Sequence, residues 1–522
     1  MNSDASRRPF AAQAEWLFDA VWSLGRRGWV WIVVGMVGLL LGTQIHSPNQ
    51  RVIQVIAAGL LALGALRVES VVGLILFIPL LPIPKVTTYG STNVAFVLLI
   101  FIIWLARVVL KLERTAGRSP LDLPVLLLVS AYLLSFSQIE HPDIIYAALT
   151  NLFLALTFIA IAYLAIHVIH NEKQLRRVVA SILVMGVLVQ FTALFELLFP
   201  DRALVPGWID LNVGRRLDYI MQGLEITNLR VGGAFSDYEL LAEFCAMLIL
   251  IQSFVLLQAK SKGQRLLATG LLAFSSFILL STVTRGAIVS LVVAGAYLLW
   301  MVRRRIRFTT LVMVSVGVLV IGATLLNIVS LHTKSGNVFD RFAGTEFKGL
   351  VPDTRQNVWR DAWELVWESP ILGHGPFFEH RRGVRIFYWP HNNYLFYWHI
   401  TGLVGLAAFL FVLYRVWRAT DRHAPYLGHA SYAGALLLAL RAMLLLFIVD
   451  QIKIDYIRNP IYPYWVWLFF GLTIATSRLA RAEEAQRNPL LQGVTAPARR
   501  LPPRISETPA VLRSALPPPS RG

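Results

Sequence analysis

The chain has 522 residues, of which 56% are hydrophobic, and its formal net charge is +18. A soluble domain of this length would not carry so many long apolar runs, so the composition indicates a polytopic membrane protein. The single cysteine, Cys245, excludes an internal disulfide framework and a cysteine-based metal site. The positive charge lies mostly in short segments between apolar runs, which is typical of cytoplasmic loops, and we therefore expect no nucleic-acid partner.

Apolar runs follow one another along most of the chain. They lie near 29–46, 52–66, 70–84, 92–111, 121–138, 146–169, 176–199, 236–258, 265–283, 285–302, 309–328, 394–416, 430–449 and 459–478. The second and third runs are short for a span of about 20 residues. We therefore predict an all-α, polytopic transmembrane helical bundle of about 12–14 spans, with a large outer loop that contains short helices.

The N-terminal segment lacks the small-residue cleavage pattern of a signal peptide, so we expect the first span to remain as an anchor. With the N-terminus in the cytoplasm, the inside connections are basic, as at Arg303-Arg304-Arg305, and the outside connections are mostly neutral. The two longest connections, 200–235 and 329–393, then both fall outside.

These patterns predict five consecutive regions. They are a cytoplasmic segment (1–28), a transmembrane bundle (29–328), a large periplasmic loop (329–393), C-terminal spans (394–478) and a disordered cytoplasmic tail (479–522). The tail is polar and proline-rich and has no apolar periodicity.

Within the large loop, Asp353–Glu368 places tryptophans at every fourth position, at Trp359, Trp363 and Trp367. This spacing predicts an amphipathic helix. A tryptophan stripe is typical of a membrane interface, and stacking on a sugar is the alternative.

Three polar residues fall on the outer face of the predicted bundle. Arg285, in the tight Thr-Val-Thr-Arg-Gly link between two spans, either reaches the lipid headgroups or holds a phosphate. Arg355 lies in the first turn of the amphipathic helix, where a cation opposes the helix dipole, and it is either an ordinary surface residue or the partner of an anion. His391 stands where loop meets span and is either a capping or interface residue or a proton acceptor, with Asn392 and Tyr394 beside it.

The segment from Arg355-x-x-x-Trp359 through Pro370-Ile-Leu-Gly-His-Gly-Pro376 to His391-Asn-Asn-Tyr-Leu resembles the O-antigen ligase and polymerase family of bacterial envelope enzymes. Arg230, in Arg-Val-Gly-Gly-Ala-Phe, is similar to the Arg, Gly and Phe that often precede the following span in that family. Tyr238-Glu239 stand where a Pro-Asn pair is common, and at this position we interpret Glu239 as structural.

The resemblance implies an inner-membrane glycosyltransferase that needs neither metal nor other cofactor. It implies a glycan donor on undecaprenyl pyrophosphate, used at the periplasmic face, and an acceptor that is either the lipid A core or a second lipid-linked glycan. Membrane lipid is the remaining partner. Under this resemblance Arg285 and Arg355 bind the pyrophosphate, His391 is the candidate general base, and Arg230, Asn392 and Tyr394 support them.

Two other functions remain open from the sequence. A transporter or lipid-linked sugar flippase would explain the spans equally well, but it usually places polar groups at mid-membrane and does not explain the long outer loop. An interaction scaffold makes no use of Arg285. The chain contains no P-loop, GxSxG or HExxH motif and no Asp-x-Asp pair, so the membrane glycosyltransferase is the favoured interpretation.

Overall fold

The computed structural model describes residues 68–83, 86–87, 90–139, 142–199, 230–302, 347–348, 351–376, 390–421 and 431–487. These residues form α1 (Ser70–Leu80), α2 (Thr92–Val109), α3 (Asp122–Ser135), α4 (Pro142–Val168), α5 (Glu172–Leu198), α6 (Tyr238–Gln258), α7 (Lys262–Ser281), α8 (Arg285–Val302), α9 (Asp353–Glu368), α10 (Asn393–Asp421), α11 (Tyr432–Asp450) and α12 (Tyr462–Arg487). The chain divides into one unit of residues Met1–Ala480 and a second of Arg481–Gly522.

Short connecting elements complete the described structure. Two antiparallel ladders of two residues a strand pair β1 (Val86–Thr87) with β2 (Gly90–Ser91) and β3 (Phe347–Lys348) with β4 (Val351–Pro352). Single turns of 3₁₀-helix lie at Phe136–Gln138, Gly233–Phe235 and Tyr456–Arg458. The predicted all-α class is confirmed, because the strands are too short to form a sheet layer.

Among the described residues, seven helices are long and apolar enough, by length and composition, to cross a membrane. They are Thr92–Val109, Ile144–Val168, Glu172–Leu198, Tyr238–Gln258, Lys262–Ser281, Asn393–Asp421 and Tyr432–Asp450. Shorter apolar helices lie at Ser70–Leu80, Asp122–Gln138 and Arg285–Met301. The prediction of a polytopic helical protein is thereby confirmed. Four predicted segments lie outside the described residues: 1–28, 29–46, 52–66 and 309–328.

Burial distinguishes central helices from peripheral ones. From Leu240 to Leu248 no side chain of α6 retains measurable exposure, and α11 is nearly as enclosed. On peripheral helices, large apolar side chains such as Leu126 and Val292 remain exposed. An apolar surface of this kind is stable against lipid chains, and a helix that is apolar all round is typical of a membrane span.

The amphipathic helix predicted at Asp353–Glu368 is α9, with the same bounds. Its buried face carries Ala362 and Val366, while Trp363 and Trp367 are exposed and pack edge-on against each other and against Trp398 of α10. This outward position fits the interfacial interpretation of the tryptophan stripe.

The span predicted as one run near 394–416 is broken inside α10. Gly402 adopts φ 67° and ψ −170°, a conformation that is essentially restricted to glycine. The segment after α9 fills the break: Leu403 donates its N–H to the Pro370 carbonyl at 2.9 Å, and His374 donates its N–H to the His399 carbonyl at 2.8 Å. Irregular backbone inside a span is stable only when such partners satisfy its polar groups, so α9 is anchored to α10.

The final helix is longer than predicted. The C-terminal spans were expected to end at 478, but α12 continues to Arg487, and the tail beyond it lies outside the described residues. The extra turns consist mostly of Ala, Arg, Glu and Gln, which have high helix propensity.

Candidate active site at one end of the helices

Six helices meet at one end of the described structure. Helices α6, α8, α9, α10 and α12 begin there, and α11 ends there at Asp450. Because consecutive spans run in opposite directions, residues far apart in sequence lie side by side at this end. Asp237, Glu239, Arg355, His391 and Arg458 form the group that we call the Glu239 cluster.

Glu239 lies in the first turn of α6, where the helix dipole favours a carboxylate. Asp237 caps the helix by accepting the N–H groups of Glu239 and Leu240 at 2.9 and 3.1 Å. The Glu239 side chain, which is 9% exposed, accepts a bond from Arg355 at 2.6 Å and another from Arg458 at 2.8 Å. One carboxylate therefore fixes two arginines from distant parts of the chain.

Arg355 is not an ordinary surface residue, since its side chain is only 19% exposed. Besides its bond to Glu239, it donates Nη1 to the backbone carbonyl of His391 at 3.4 Å and to that of Lys453. The side chain thus ties the start of α9 to the start of α10 and to the connection between α11 and α12.

Arg458 ends the 3₁₀ turn between α11 and α12. Its Nη2 donates to Asp237 at 2.6 Å and to Glu239 at 2.8 Å, and its Nη1 lies 2.7 Å from Nδ1 of His391. Burial by itself lowers the pKa of Arg458, but the carboxylates of Asp237 and Glu239 more than offset this effect and raise the pKa above its usual value. The guanidinium is therefore charged throughout the physiological range.

His391 has a positive φ of 48°, which is uncommon for a residue with a side chain. The next residue, Asn392, caps α10 by accepting the N–H groups of Tyr394 and Leu395 at 3.0 and 3.1 Å. Tyr394 donates its hydroxyl to the Ile448 carbonyl at 2.7 Å. Asn392 and Tyr394 thus position the helix start, and the capping role considered for His391 belongs to Asn392.

Arg230 supports the tight turn that leads to Arg285. It donates to the carbonyls of Thr282 and Val283 at 3.1 and 3.3 Å, and its guanidinium lies 3.3 Å from the centre of the Tyr238 ring. Val283 has a positive φ of 51°, and the bonds from Arg230 hold this turn in place.

Arg285 begins α8 and is partly buried. A Cβ on Gly286 would overlap the Lys453 side chain, which lies across the start of α8. Lys453 Nζ is 3.1 Å from Asp450 Oδ1, which also accepts the hydroxyl of Ser290 at 2.7 Å. Because Lys453 also accepts a bond from Arg355 through its carbonyl, it connects the Arg285 region with the Glu239 cluster.

Asp455 lies beneath the cluster with no measurable exposure. Burial raises the pKa of its carboxyl from 3.8 to about 6, against the opposing charge of Arg458. Within the described residues, no group of three or more His, Cys, Asp or Glu side chains is arranged to hold a metal ion.

A cavity of about 270 Å³ lies beside Arg458, between α3, α4, α10 and α12. Its walls are mainly apolar and aromatic and include Leu128, Phe158, Ile159 and Trp467. The site therefore combines a cationic rim with an apolar recess.

The sequence predicted Arg285, Arg355 and His391 as site residues, and the structure brings Arg355 and His391 into contact. It adds Glu239, Lys453 and Arg458, which the sequence interpretation did not assign to the site. A signal for two of them exists in the sequence: the connection after α11 is an outside one in the predicted topology, yet it contains Lys453 and Arg458. Basic residues in an outside connection are contrary to the usual charge bias and are therefore candidates for function.

Comparison with known proteins agrees with the motifs. Residues 270–410 match the family model described as O-antigen ligase. This range contains Arg285, Arg355 and His391 but not Glu239 or Arg458. None of the curated proteins matches the chain. Over residues 270–410 the chain is therefore similar to the O-antigen ligase family, and the resemblance based on its motifs is confirmed over this range.

Proposed function

We propose that the protein is a membrane glycosyltransferase that takes a glycan from undecaprenyl pyrophosphate and passes it to an acceptor sugar at the periplasmic face. The acceptor is the lipid A core for a ligase or a second lipid-linked glycan for a polymerase. The observation that carries the proposal is the convergence of Arg355, Arg458 and His391 on Glu239, at the end of the helices where Arg285 begins α8.

The cations of this region suit a pyrophosphate. The Arg285 and Arg355 guanidinium groups offer the planar pair of donors that phosphate oxygens accept, and Lys453 lies beside Arg285 across Gly286. In the reaction, the bond between the sugar carbon and the pyrophosphate oxygen breaks, and negative charge grows on that oxygen. Arg355 and Lys453 can stabilise this charge without a metal, because pairing with Glu239 and Asp450 has already set their positions.

The apolar recess suits the lipid part of the donor. The cavity beside Arg458 is lined by side chains such as Leu154, Ala155 and Phe158, which gain nothing from contact with water. A polyprenyl chain that leaves the membrane between α3 and α4 would place its phosphate end near Arg458. The rim and the recess then recognise the two chemically different parts of one amphiphilic donor.

The test is glycan transfer from a purified lipid-linked donor, with lipid A core and lipid-linked acceptors compared. Arg285→Ala and Arg355→Ala should each lower transfer by at least about 10²-fold, because each leaves part of the pyrophosphate charge uncompensated. Arg285→Lys should recover only part of the activity, since an ammonium lacks the planar pair of donors. Activity should persist with a metal chelator present.

The matched control is Arg360→Ala on the same helix as Arg355. Arg360 is 65% exposed and has only a surface pair with Asp361, so its loss should not affect transfer. If the Arg285 and Arg355 variants transfer glycan at the wild-type rate while membrane levels match, the glycosyltransferase proposal fails and a transporter becomes the better explanation.

A further inference from the structure

The contact between Arg458 and His391 determines which ring nitrogen carries the proton. Arg458 Nη1 lies 2.7 Å from His391 Nδ1. A guanidinium is protonated at any pH that a folded protein meets and can only donate, so Nδ1 must accept. The proton of a neutral His391 is then on Nε2.

Glu239 could instead accept a proton from Nδ1, and the distances distinguish between Nδ1 as an acceptor and Nδ1 as a donor. If Nδ1 carried a proton, it could donate to Glu239 Oε2, but that separation is 3.5 Å, at the outer limit of a hydrogen bond. Such a proton would also point at the Arg458 N–H at 2.7 Å, which is strongly repulsive. Glu239 Oε2 already accepts from Arg458 Nη2 at 2.8 Å, so with Nδ1 as an acceptor both Nη groups of Arg458 have a partner.

The His391 ring is more exposed than the two groups that its Nδ1 faces. Arg458 and Glu239, which face Nδ1, are each only 9% exposed, whereas the His391 side chain is 36% exposed. With Nδ1 directed at these two enclosed groups, Nε2 is the ring nitrogen that remains for a substrate. The Arg355 side chain donates to the His391 carbonyl at 3.4 Å and so contacts the backbone of the same residue.

We propose that His391 acts as a neutral hydrogen-bond donor through Nε2 to the departing pyrophosphate, not as the base, and that Arg458 is the positioning residue that fixes this tautomer. The inference rests on the proposed function for the identity of the substrate. An Nε2 that already holds a proton cannot take another from the acceptor hydroxyl unless the ring first leaves Arg458.

The reaction balances without a basic histidine. The acceptor hydroxyl oxygen forms the new bond to the sugar carbon, while the bond from that carbon to the pyrophosphate breaks and its electron pair stays on the pyrophosphate oxygen. The hydroxyl proton passes to a non-bridging oxygen of the departing pyrophosphate. His391 lends a hydrogen bond to the leaving group through Nε2–H and keeps its own proton.

Two amide substitutions distinguish a donor from a base, because neither amide can act as a base. The side-chain nitrogen of glutamine reaches the position of Nε2, whereas that of asparagine reaches only the position of Nδ1. We expect His391→Gln to keep transfer within about 10-fold of wild type and His391→Asn to lower it by about 10²-fold or more, mainly in kcat. Equal loss in both variants, with both folded and able to bind donor, would overturn the donor role.

The tautomer itself is read by nitrogen NMR of protein labelled at histidine, with the His391→Gln spectrum subtracted to assign the signal. At neutral pH we expect an unprotonated Nδ1 and a protonated Nε2, and loss of this preference in Arg458→Met with partial recovery in Arg458→Lys. A protonated Nδ1 in the wild type would refute the inference. This measurement needs no substrate, so it separates failure of the tautomer from failure of the proposed glycan transfer.

Discussion

Replacement of Glu239 by alanine is the most informative perturbation of the cluster, because it removes the carboxylate that Arg355 and Arg458 share. The two bonds, at 2.6 and 2.8 Å, are charge-assisted and enclosed, since all three side chains are at most 19% exposed. Each such bond contributes about 1.5–3 kcal/mol. Removal of one partner from a buried ion pair commonly costs about 3–5 kcal/mol, and we expect a loss of stability in this range.

The loss should be larger for activity than for folding. Without the carboxylate, the two guanidinium groups repel each other, and His391 loses the arrangement that sets its ring. If the arginines move so that the transition state loses about 3 kcal/mol of stabilisation, the rate falls by about 10²-fold. Glu239→Gln should be intermediate in stability, because its amide oxygen still accepts one arginine while its NH₂ group opposes the other.

The assay combines thermal unfolding in detergent with glycan transfer at matched protein levels. Glu364→Ala is the control, since this carboxylate lies on the exposed face of α9, the helix that carries Arg355. If Glu239→Ala unfolds at the wild-type temperature and transfers glycan at the wild-type rate, the cluster does not organise the site.

Three further predictions concern the backbone, the buried acid and the topology. Gly402→Ala should destabilise the protein by about 1–3 kcal/mol or more in thermal unfolding, because the backbone there has a glycine-only conformation and the new Cβ would overlap the Ile371 carbonyl. Gly295→Ala is the control and should not destabilise the protein, since no atom lies near its new Cβ. The pKa of Asp455 is raised from 3.8 to about 6, so the stability of the folded protein falls as pH rises through this window. Asp455→Asn should therefore be more stable than the wild type at pH 7.5, by up to about 3 kcal/mol, and equally stable near pH 4. A difference in stability that does not change with pH would contradict this prediction. Alkaline phosphatase fused near Gly344 should be active and the same reporter after Glu484 silent, and the reverse pattern would place the site on the cytoplasmic face.

The helices follow from the sequence because their determinants are local. Apolar runs of sufficient length form helices in lipid whatever their neighbours are, since only intrahelical bonds satisfy the backbone there. Helical periodicity is local as well, so the four-residue spacing of the tryptophans was enough to predict α9 with its bounds, Asp353–Glu368. The family motifs, which are contiguous in the chain, also indicated Arg355 and His391 as site residues.

The pairing of side chains depends on how helices pack, which local pattern does not encode. Glu239 and Arg458 are separated by 219 positions and meet only because α6 begins beside the connection from α11 to α12. Periodicity likewise predicted an unbroken span through Gly402, because the break is stable only when residues 370–375 fill it. The sequence by itself determined the helices, and tertiary packing decided which charges pair and that Nδ1 of His391 lies against Arg458.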